Sequence, residues 1–504
     1  MSILTIAVAA AQSGAGKTTV TMALIAGLRR RGLTVQPFKV GPDYLDPELL
    51  GWLAGRPCRN LDGWMLPDRH LLELFHRACR GADVAVVEGV MGLLDGRSGA
   101  GDGDRASTAA IARLLGCPVV LVVDAARASR TVGAVAHGLA AADPRLRVAG
   151  AILDRVAGDR HRDVCAEGLA AFGVACLGAI GRDGNLALPD RYLGLVSPAE
   201  TEPSPVLRAA LERAAEGLDL DSVLLAARRG AVRPPKPATW LFPDRPLPAR
   251  VRIAVASDAA FHFYYRDSLD LLQAWGAELV PFSPLADTGI PRGVGGVYVG
   301  GGYPELFAAP LSGNAPMLAS LHRAHRLGTL LYAECGGAMY LSREIEDAEG
   351  RHHRMAGLWP AAVSLRDRRL SVGYRTVRAS AASFLHGFEL PAHEFHYSRM
   401  LSLPGDAAPA WQVLGEPGGE RGEGFAGRGL VASYIHLHLG ARPGLARRLV
   451  EACAAADGST VAAGHAPVSP AIGGHGAHRA GLCIGDPGLS RAASDSSAGR
   501  EPPE

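Results

Sequence analysis

The opening of the chain constrains its fold more than any other stretch. An apolar run from Ile3 to Ala10 leads into Ala11-Gln12-Ser13-Gly14-Ala15-Gly16-Lys17-Thr18-Thr19, and Lys17 to Arg31 then follows with helical spacing, closed by Gly32. A strand that turns on glycines into a helix aims several backbone N–H groups at one point and makes an anion site. In such a phosphate loop the lysine reaches the β- and γ-phosphates, and the hydroxyl after it ligates Mg²⁺. Ser13, Gly14, Ala15, Gly16, Lys17, Thr18 and Thr19 are therefore the candidate ATP-binding residues, and Thr18 a candidate Mg²⁺ ligand. Ala11 stands where the pattern ordinarily begins with Gly. Matches to short patterns arise by chance, but rarely with a strand and a helix correctly placed on either side.

Apolar runs of strand length recur at Thr34 to Val40, Asp83 to Glu88, Pro118 to Asp124, Val148 to Asp154 and Val174 to Ile180, several separated by Ala- and Leu-rich helical segments. This alternation predicts an α/β fold with a mainly parallel, doubly wound sheet. Ligands of such sheets collect at the carboxyl ends of the strands. Two acidic loops fall there, Lys39-Val40-Gly41-Pro42-Asp43-Tyr44-Leu45-Asp46-Pro47 and Val87-Glu88-Gly89-Val90-Met91-Gly92-Leu93-Leu94-Asp95-Gly96. A carboxylate facing a phosphate loop is a natural direct or water-mediated Mg²⁺ ligand, so Asp43, Asp46, Glu88 and Asp95 are candidates. Asp before Pro or Gly is also an ordinary turn residue. That plainer reading suits Asp95 better than Glu88.

At 504 residues the chain exceeds one core, and two or three domains are expected. Pro234, Pro235, Pro237, Pro243, Pro246 and Pro248 stiffen a linker. The expected division is a phosphate-loop domain over 1–230, a linker over 231–250, a second domain over 251–456, and a Gly-, Ala-, Ser- and Pro-rich tail over 457–504 expected to be disordered. A net charge of +2 gives no sign of a nucleic-acid binder, and no apolar run approaches the roughly 20 residues of a helical membrane span. The 8 cysteines are scattered without a CxxC pair, which indicates neither a zinc site nor a disulfide framework. A reducing cytoplasm fits, and the apolar N-terminus, lacking a charged leader, reads as a first strand.

In the second half Val251 to Ala256, Ala277 to Phe282 and Gly295 to Val299 read as strands. The aromatic stretch Phe261-His262-Phe263-Tyr264-Tyr265 suits an acceptor pocket, a domain interface or core packing. Gly300-Gly301-Gly302 follows the third strand, and glycines there give the close approach and N–H groups of an oxyanion hole, with Gly301 and Gly302 as candidates. One βα unit later, the strand Thr329 to Ala333 runs into Glu334-Cys335-Gly336-Gly337. A thiol on a tight strand-to-helix turn is expected to be exposed, on strained backbone, with its pKa lowered by helix N–H groups, which makes Cys335 a candidate nucleophile. Such a thiol needs a base. Leu430 to Ile435 reads as a strand ending in His436-Leu437-His438, and residues two apart share a face. His436 is the candidate base and His438 the group that orients it, unless one of the pair is merely structural. The cluster His393-Glu394-Phe395-His396 admits a metal site, but acceptor binding or interdomain contact is the better reading.

The segments SGAGKTT, FKVGPDYLDP, NLDGWM, VVEGVMGLLDG, FYYRDSLDLL, GGGYPE, YAECGGAMYL, HEFHYS and ASYIHLHL resemble the cobyrinic acid a,c-diamide synthases, including the hydrogenobyrinic acid enzymes of aerobic cobalamin biosynthesis. The resemblance runs from Ile3 to about Leu439. It implies an N-terminal domain like dethiobiotin synthetase and a C-terminal class I glutamine amidotransferase domain. Position by position, it implies Cys335 as glutaminase nucleophile and His436 as its base, with His438 where many class I triads carry Glu. It further implies ATP and Mg²⁺ held by the phosphate loop with Thr18, Asp46 and Glu88, and Asp43 and Asp46, with Asp95, beside the carboxylate being activated. This sequence departs from the pattern at Asp154, where Asn is expected, and at Ala392, where Gly is.

The expected chemistry is amidation of the a and c acetate groups of a corrin, with ATP and L-glutamine as co-substrates and Mg²⁺ as cofactor. Expected partners are the small-molecule corrin, no nucleic acid and no membrane; a homodimer is possible, since isologous dimers are common among proteins, but no residue establishes one. Alternatives are amidation of another tetrapyrrole, as in nickel-sirohydrochlorin a,c-diamide or cobyric acid synthesis; a partition-type or regulatory ATPase with a binding module; and a thiol hydrolase with a vestigial nucleotide domain.

Overall fold

The computed structural model of the chain describes residues 3–97, 103–188, 190–191, 194–229, 239–366, 369–401, 407–415 and 419–456. The first part of the expected linker and the whole of the expected tail lie outside them.

The first sheet follows from the apolar runs. β1 (Leu4–Ala10) passes through the phosphate loop into α1 (Lys17–Arg30); β2 (Val35–Val40) leads to α2 (Leu45–Ala54) and the short β3 (Arg59–Leu61). Next come β4 (Val84–Glu88), β5 (Val119–Asp124), β6 (Val148–Val156) and β7 (Cys176–Gly181). They pair in the order β3-β2-β4-β1-β5-β6-β7, every pair parallel. Helices cover both faces, so these strands are buried on both sides and read as continuous rather than alternating apolar runs. Gly16, at φ 93°, takes the left-handed conformation that starts α1. Arg29 and Arg30 close that helix at its negative end. The register sets Glu88 beside Val8 on one side and Lys39 on the other, at the carboxyl edge next to the phosphate loop.

The second sheet contains β8 (Val251–Ala256), β9 (Ala277–Phe282), β10 (Gly296–Val299) and β11 (Leu330–Glu334), all parallel. Beyond them the chain builds an antiparallel sheet from β12 (Ser371–Ala379), β13 (Glu389–His396), β14 (Trp411–Leu414) and β15 (Arg421–Glu423). β16 (Phe425–Gly427) and β17 (Leu430–Ser433) return to the parallel sheet, in the order β9-β8-β10-β11-β17-β16.

The run Leu430 to Ile435, expected as one strand, breaks at Tyr434. β17 pairs with β11, whereas β18 (Ile435–His436) pairs with β13 of the antiparallel sheet. Side chains replace the ladder at the break: the buried Glu423 carboxylate accepts the Tyr434 N–H and the Ser433 hydroxyl, and Ser433 Oγ accepts the Ile435 N–H. The break delivers His436 to the seam between the two sheets. Among the described residues no helix is long and apolar enough to cross a membrane.

The two halves meet through buried and half-buried polar groups. Arg59 pairs with Asp267 and Asp270 at 2.7 and 2.6 Å. Tyr374 donates to the buried Asp62 at 2.9 Å, and Glu73 of the first half anchors the linker by accepting the Trp240 and Leu241 N–H groups at 2.8 and 3.0 Å.

Candidate functional site

At the phosphate loop, the Lys17 ammonium folds back onto the Gln12 and Met91 carbonyls at 2.9 and 2.6 Å. Burial and the nearby Lys39 charge lower its pKa. The Thr18 hydroxyl donates to Glu88 Oε1 at 2.8 Å. Lys39 bridges Asp46 at 2.5 Å and the same Glu88 oxygen at 2.8 Å. Burial opposes charge on Lys39, but Asp46 and Glu88 outweigh it and hold the ammonium protonated. Burial pushes Glu88 up to about 7 against the pull of Lys39. For Asp46 the order reverses: burial opposes ionisation, but Lys39 brings the pKa below its usual value.

Glu88 Oε2 is buried and meets no donor among the described residues. That oxygen, the Thr18 hydroxyl and the Asp46 carboxylate are a hard-oxygen set that suits Mg²⁺. No group of three His, Cys, Asp or Glu residues is arranged to hold a metal among the described residues, the His393–His396 cluster included. Mg²⁺ in nucleotide sites takes one or two carboxylates and completes its shell with phosphate and water, so the two observations agree.

Asp43 caps α2, its Oδ1 accepting the Leu45 and Asp46 N–H groups at 2.9 and 3.3 Å, and burial pushes its pKa up to about 7. Asp95 accepts the Gly92 N–H at 2.8 Å and so closes its own turn. Asp154 packs into the space that a Cβ on Gly16 would need, and it accepts from Arg155 Nε at 3.3 Å.

In the second half, Cys335 follows β11 with φ 48° and ψ −106°, a strained backbone for a residue with a side chain. The expectation of an exposed, acidified thiol is corrected: Cys335 is buried, and burial, with the nearby Glu305 charge, pushes its pKa upward. The helix after it, Gly336–Leu341, is too short to offset desolvation. The thiol therefore depends on a base. Gly302 lies against Gly336, its nitrogen 3.0 Å from where a Cβ would stand, and Gly301 packs on His436 Cε1 at 2.7 Å by the same measure. The glycine loop thus touches both the turn that bears the thiol and the candidate base.

His438 does not orient His436. Its Nδ1 accepts the Gly440 N–H at 3.0 Å, and its ring lies on Tyr265 at 5.0 Å. The strand argument that paired the two histidines fails because β18 ends at His436 and the chain turns away. Sequence reasoning passed over the groups that do face His436. Nδ1 lies 3.2 Å from the Tyr44 hydroxyl and 3.9 Å from Glu334 Oε2. Glu334 immediately precedes the nucleophile candidate, is buried, and accepts from Tyr332, Tyr298 and the Leu437 N–H at 2.6, 3.0 and 3.1 Å. A Glu closing an otherwise apolar strand was its one signal. Burial pushes His436 down to about 3, so its imidazole is neutral.

Two cavities join these parts. Cys335 lines one with Phe263, Tyr303, Glu305, Phe395 and His396. The other, of about 370 Å³, is lined by Asp43, Tyr44 and Asp46 from the first half and by Phe263, Tyr303, Phe395 and His436 from the second. They share an aromatic wall.

The comparisons fit this division of labour. Residues 6–195 match a CobQ/CobB/MinD/ParA nucleotide binding domain, and residues 252–444 a CobB/CobQ-like glutamine amidotransferase domain. The class is thus a glutamine amidotransferase fused to a nucleotide-binding domain. Cobyrinate a,c-diamide synthase of Dehalococcoides mccartyi is 40% identical over 89% of this chain and 98% of its own length. The enzyme of that name from Gloeobacter violaceus is 43% identical over 90% and 97%, and hydrogenobyrinate a,c-diamide synthase of Streptomyces coelicolor 42% over 88% and 96%. The chain belongs to the cobyrinate and hydrogenobyrinate a,c-diamide synthase family.

Proposed function

We propose that this chain amidates the a and c acetate carboxylates of a corrin, hydrogenobyrinic or cobyrinic acid, with ATP and glutamine. Residues 1–230 form the synthetase domain, 251–456 the glutaminase, with 231–250 as linker and 457–504 outside the chemistry. ATP and glutamine are at hand in the cytoplasm, which is where the reading puts the enzyme.

In the glutaminase half, Cys335 attacks the glutamine carboxamide while His436 takes the thiol proton, and N–H groups of Gly301 and Gly302 stabilise the oxyanion. His436 returns the proton to the leaving nitrogen, ammonia departs, and water hydrolyses the thioester to glutamate. In the synthetase half, a corrin carboxylate oxygen attacks the γ-phosphorus of ATP bound at Ser13–Thr19, giving an acyl phosphate and ADP. Ammonia displaces phosphate and leaves the amide. Thr18, Asp46 and Glu88 would hold Mg²⁺, which neutralises charge on the β- and γ-phosphates when bound. Lys39 keeps two of these carboxylate groups together, and Asp43 lies beside the acceptor carboxylate.

The observation that carries the proposal is the cavity lined at once by His436 and by Asp43 and Asp46. Ammonia in water at neutral pH is mostly ammonium and a poor nucleophile. A passage walled by Tyr44, Phe263, Tyr303 and Phe395 favours the neutral form.

The test is product mass from a substrate panel with glutamine and Mg·ATP. Two amidations on hydrogenobyrinic or cobyrinic acid are expected. Product solely from sirohydrochlorin, with or without nickel, or from cobyrinic acid a,c-diamide would move the enzyme to another step. ATP turnover with no product from any acceptor would return the chain to the ATPase reading. Cys335→Ala is expected to lose glutamine-driven amidation and keep ammonia-driven amidation; loss of both would overturn its role.

A further inference from the structure

The candidate base is held by a hydroxyl from the other half of the molecule. Tyr44 stands between Asp43, which caps α2, and Asp46, which pairs with Lys39. Its ring stacks on Phe263 with centroids 5.0 Å apart and planes 7° from parallel. It packs tilted on Tyr265 at 4.8 Å and on His436 at 5.2 Å. A phenol fixed by three rings has little freedom to choose its partner, and its hydroxyl lies 3.2 Å from His436 Nδ1. The other oxygen near that nitrogen, Glu334 Oε2 at 3.9 Å, is beyond hydrogen-bond reach. Among the described residues, Tyr44 is thus the hydrogen-bond partner of the His436 side chain.

A neutral imidazole accepts a proton through one nitrogen when the other carries the hydrogen, and the partner of that hydrogen fixes the tautomer. We propose that Tyr44 is a positioning residue for the glutaminase half-reaction: its oxygen accepts the His436 Nδ1–H and leaves Nε2 to take the thiol proton. The proposal rests on His436 as base. It makes the thiol centre incomplete without the nucleotide-binding half. It also ties the His436 ring to the loop bearing Asp43 and Asp46, so that ATP and a corrin carboxylate seated there act on glutamine hydrolysis through Tyr44.

Tyr44→Phe removes the hydroxyl and keeps the ring contacts. Glutamate release by the full chain, with and without ATP and hydrogenobyrinic acid, gives kcat, KM and the stimulation ratio. The expected result is a kcat lowered about tenfold or more with KM for glutamine within about twofold. Stimulation by ATP plus acceptor should fall close to unity, while ammonia-driven amidation persists and shows the fold intact. Wild-type kcat together with wild-type stimulation would overturn the proposal. His436→Gln separates the two readings. If it keeps glutamate release, the base assignment falls and Tyr44 with it; if it loses release while Tyr44→Phe behaves as wild type, the base stands and only the Tyr44 role falls. Imidazole ¹⁵N shifts of His436 in the unmutated protein give a check that does not depend on any variant folding. A hydrogen on Nδ1 supports the proposal, and a hydrogen on Nε2 overturns it.

Discussion

Glu423 touches neither the thiol nor the phosphate loop, yet it shapes the break that delivers His436. Burial pushes its pKa up to about 7 against the Ser433 and Tyr434 hydrogen bonds, from an ordinary value of 4.5. Between those two values the unfolded chain has released a proton that the folded chain retains, so folding stability falls as pH rises through that window. Below about 4.5 the penalty is absent, and above about 7 it is fully present. Glu423→Gln removes the titration. Its stability relative to wild type should therefore improve between pH 5 and pH 8 by on the order of 1–3 kcal/mol, read by urea denaturation at both pH values. An unchanged difference would show that this carboxylate is not held neutral. At this scale the sequence marks as candidates the groups whose neighbours in the chain give them away: Lys17 and Thr18 by the glycines before them, Cys335 by its strand and turn. It hides Tyr44 and Glu334, whose meaning comes from His436, a residue that folding alone brings to them.

At the scale of elements, the short helix after Cys335 is docked by the absence of side chains. A Cβ on Gly337 would overlap the Val299 carbonyl at the end of β10, and one on Gly302 would overlap the Ala260 carbonyl. Backbone cannot step aside as a flexible side chain can. Gly337→Ala is therefore expected to cost about 1–3 kcal/mol and to lower the melting temperature, read calorimetrically; an unchanged melting temperature would mean that the helix slides freely. The parallel strands were legible because strands buried on both faces leave uninterrupted apolar runs. The antiparallel sheet was not. Most of β12 is neither fully buried nor fully exposed, its ends depend on partners far along the chain, and the split of β17 from β18 is made by Glu423 and Ser433 rather than by a turn residue.

At the scale of the molecule, Arg59 ties one half to the other, its guanidinium largely buried between Asp267 and Asp270. Removing one partner of a buried pair leaves the others uncompensated. Arg59→Met is expected to loosen the seam and spare each active centre. Ammonia-driven amidation should persist, while the glutamate released per amide formed should rise above one as ammonia escapes; a ratio held at one would show that Arg59 does not align the passage. The proline-rich linker expected over 231–250 was read from composition alone. The chemistry crossing the seam was not, since neither half carries a sign of what the other presents.

The order of the two halves along the chain has a consequence for biosynthesis. Translation proceeds from the N-terminus at about 5–20 residues per second, so Tyr44 and the acidic loop leave the ribosome roughly 15 s or more before Cys335 does. The thiol pocket closes against a neighbour that already exists. In this order Tyr44 is already made when the His436 that it contacts emerges, whereas a gene with its halves exchanged would make His436 first and leave its ring without that partner until the other half followed.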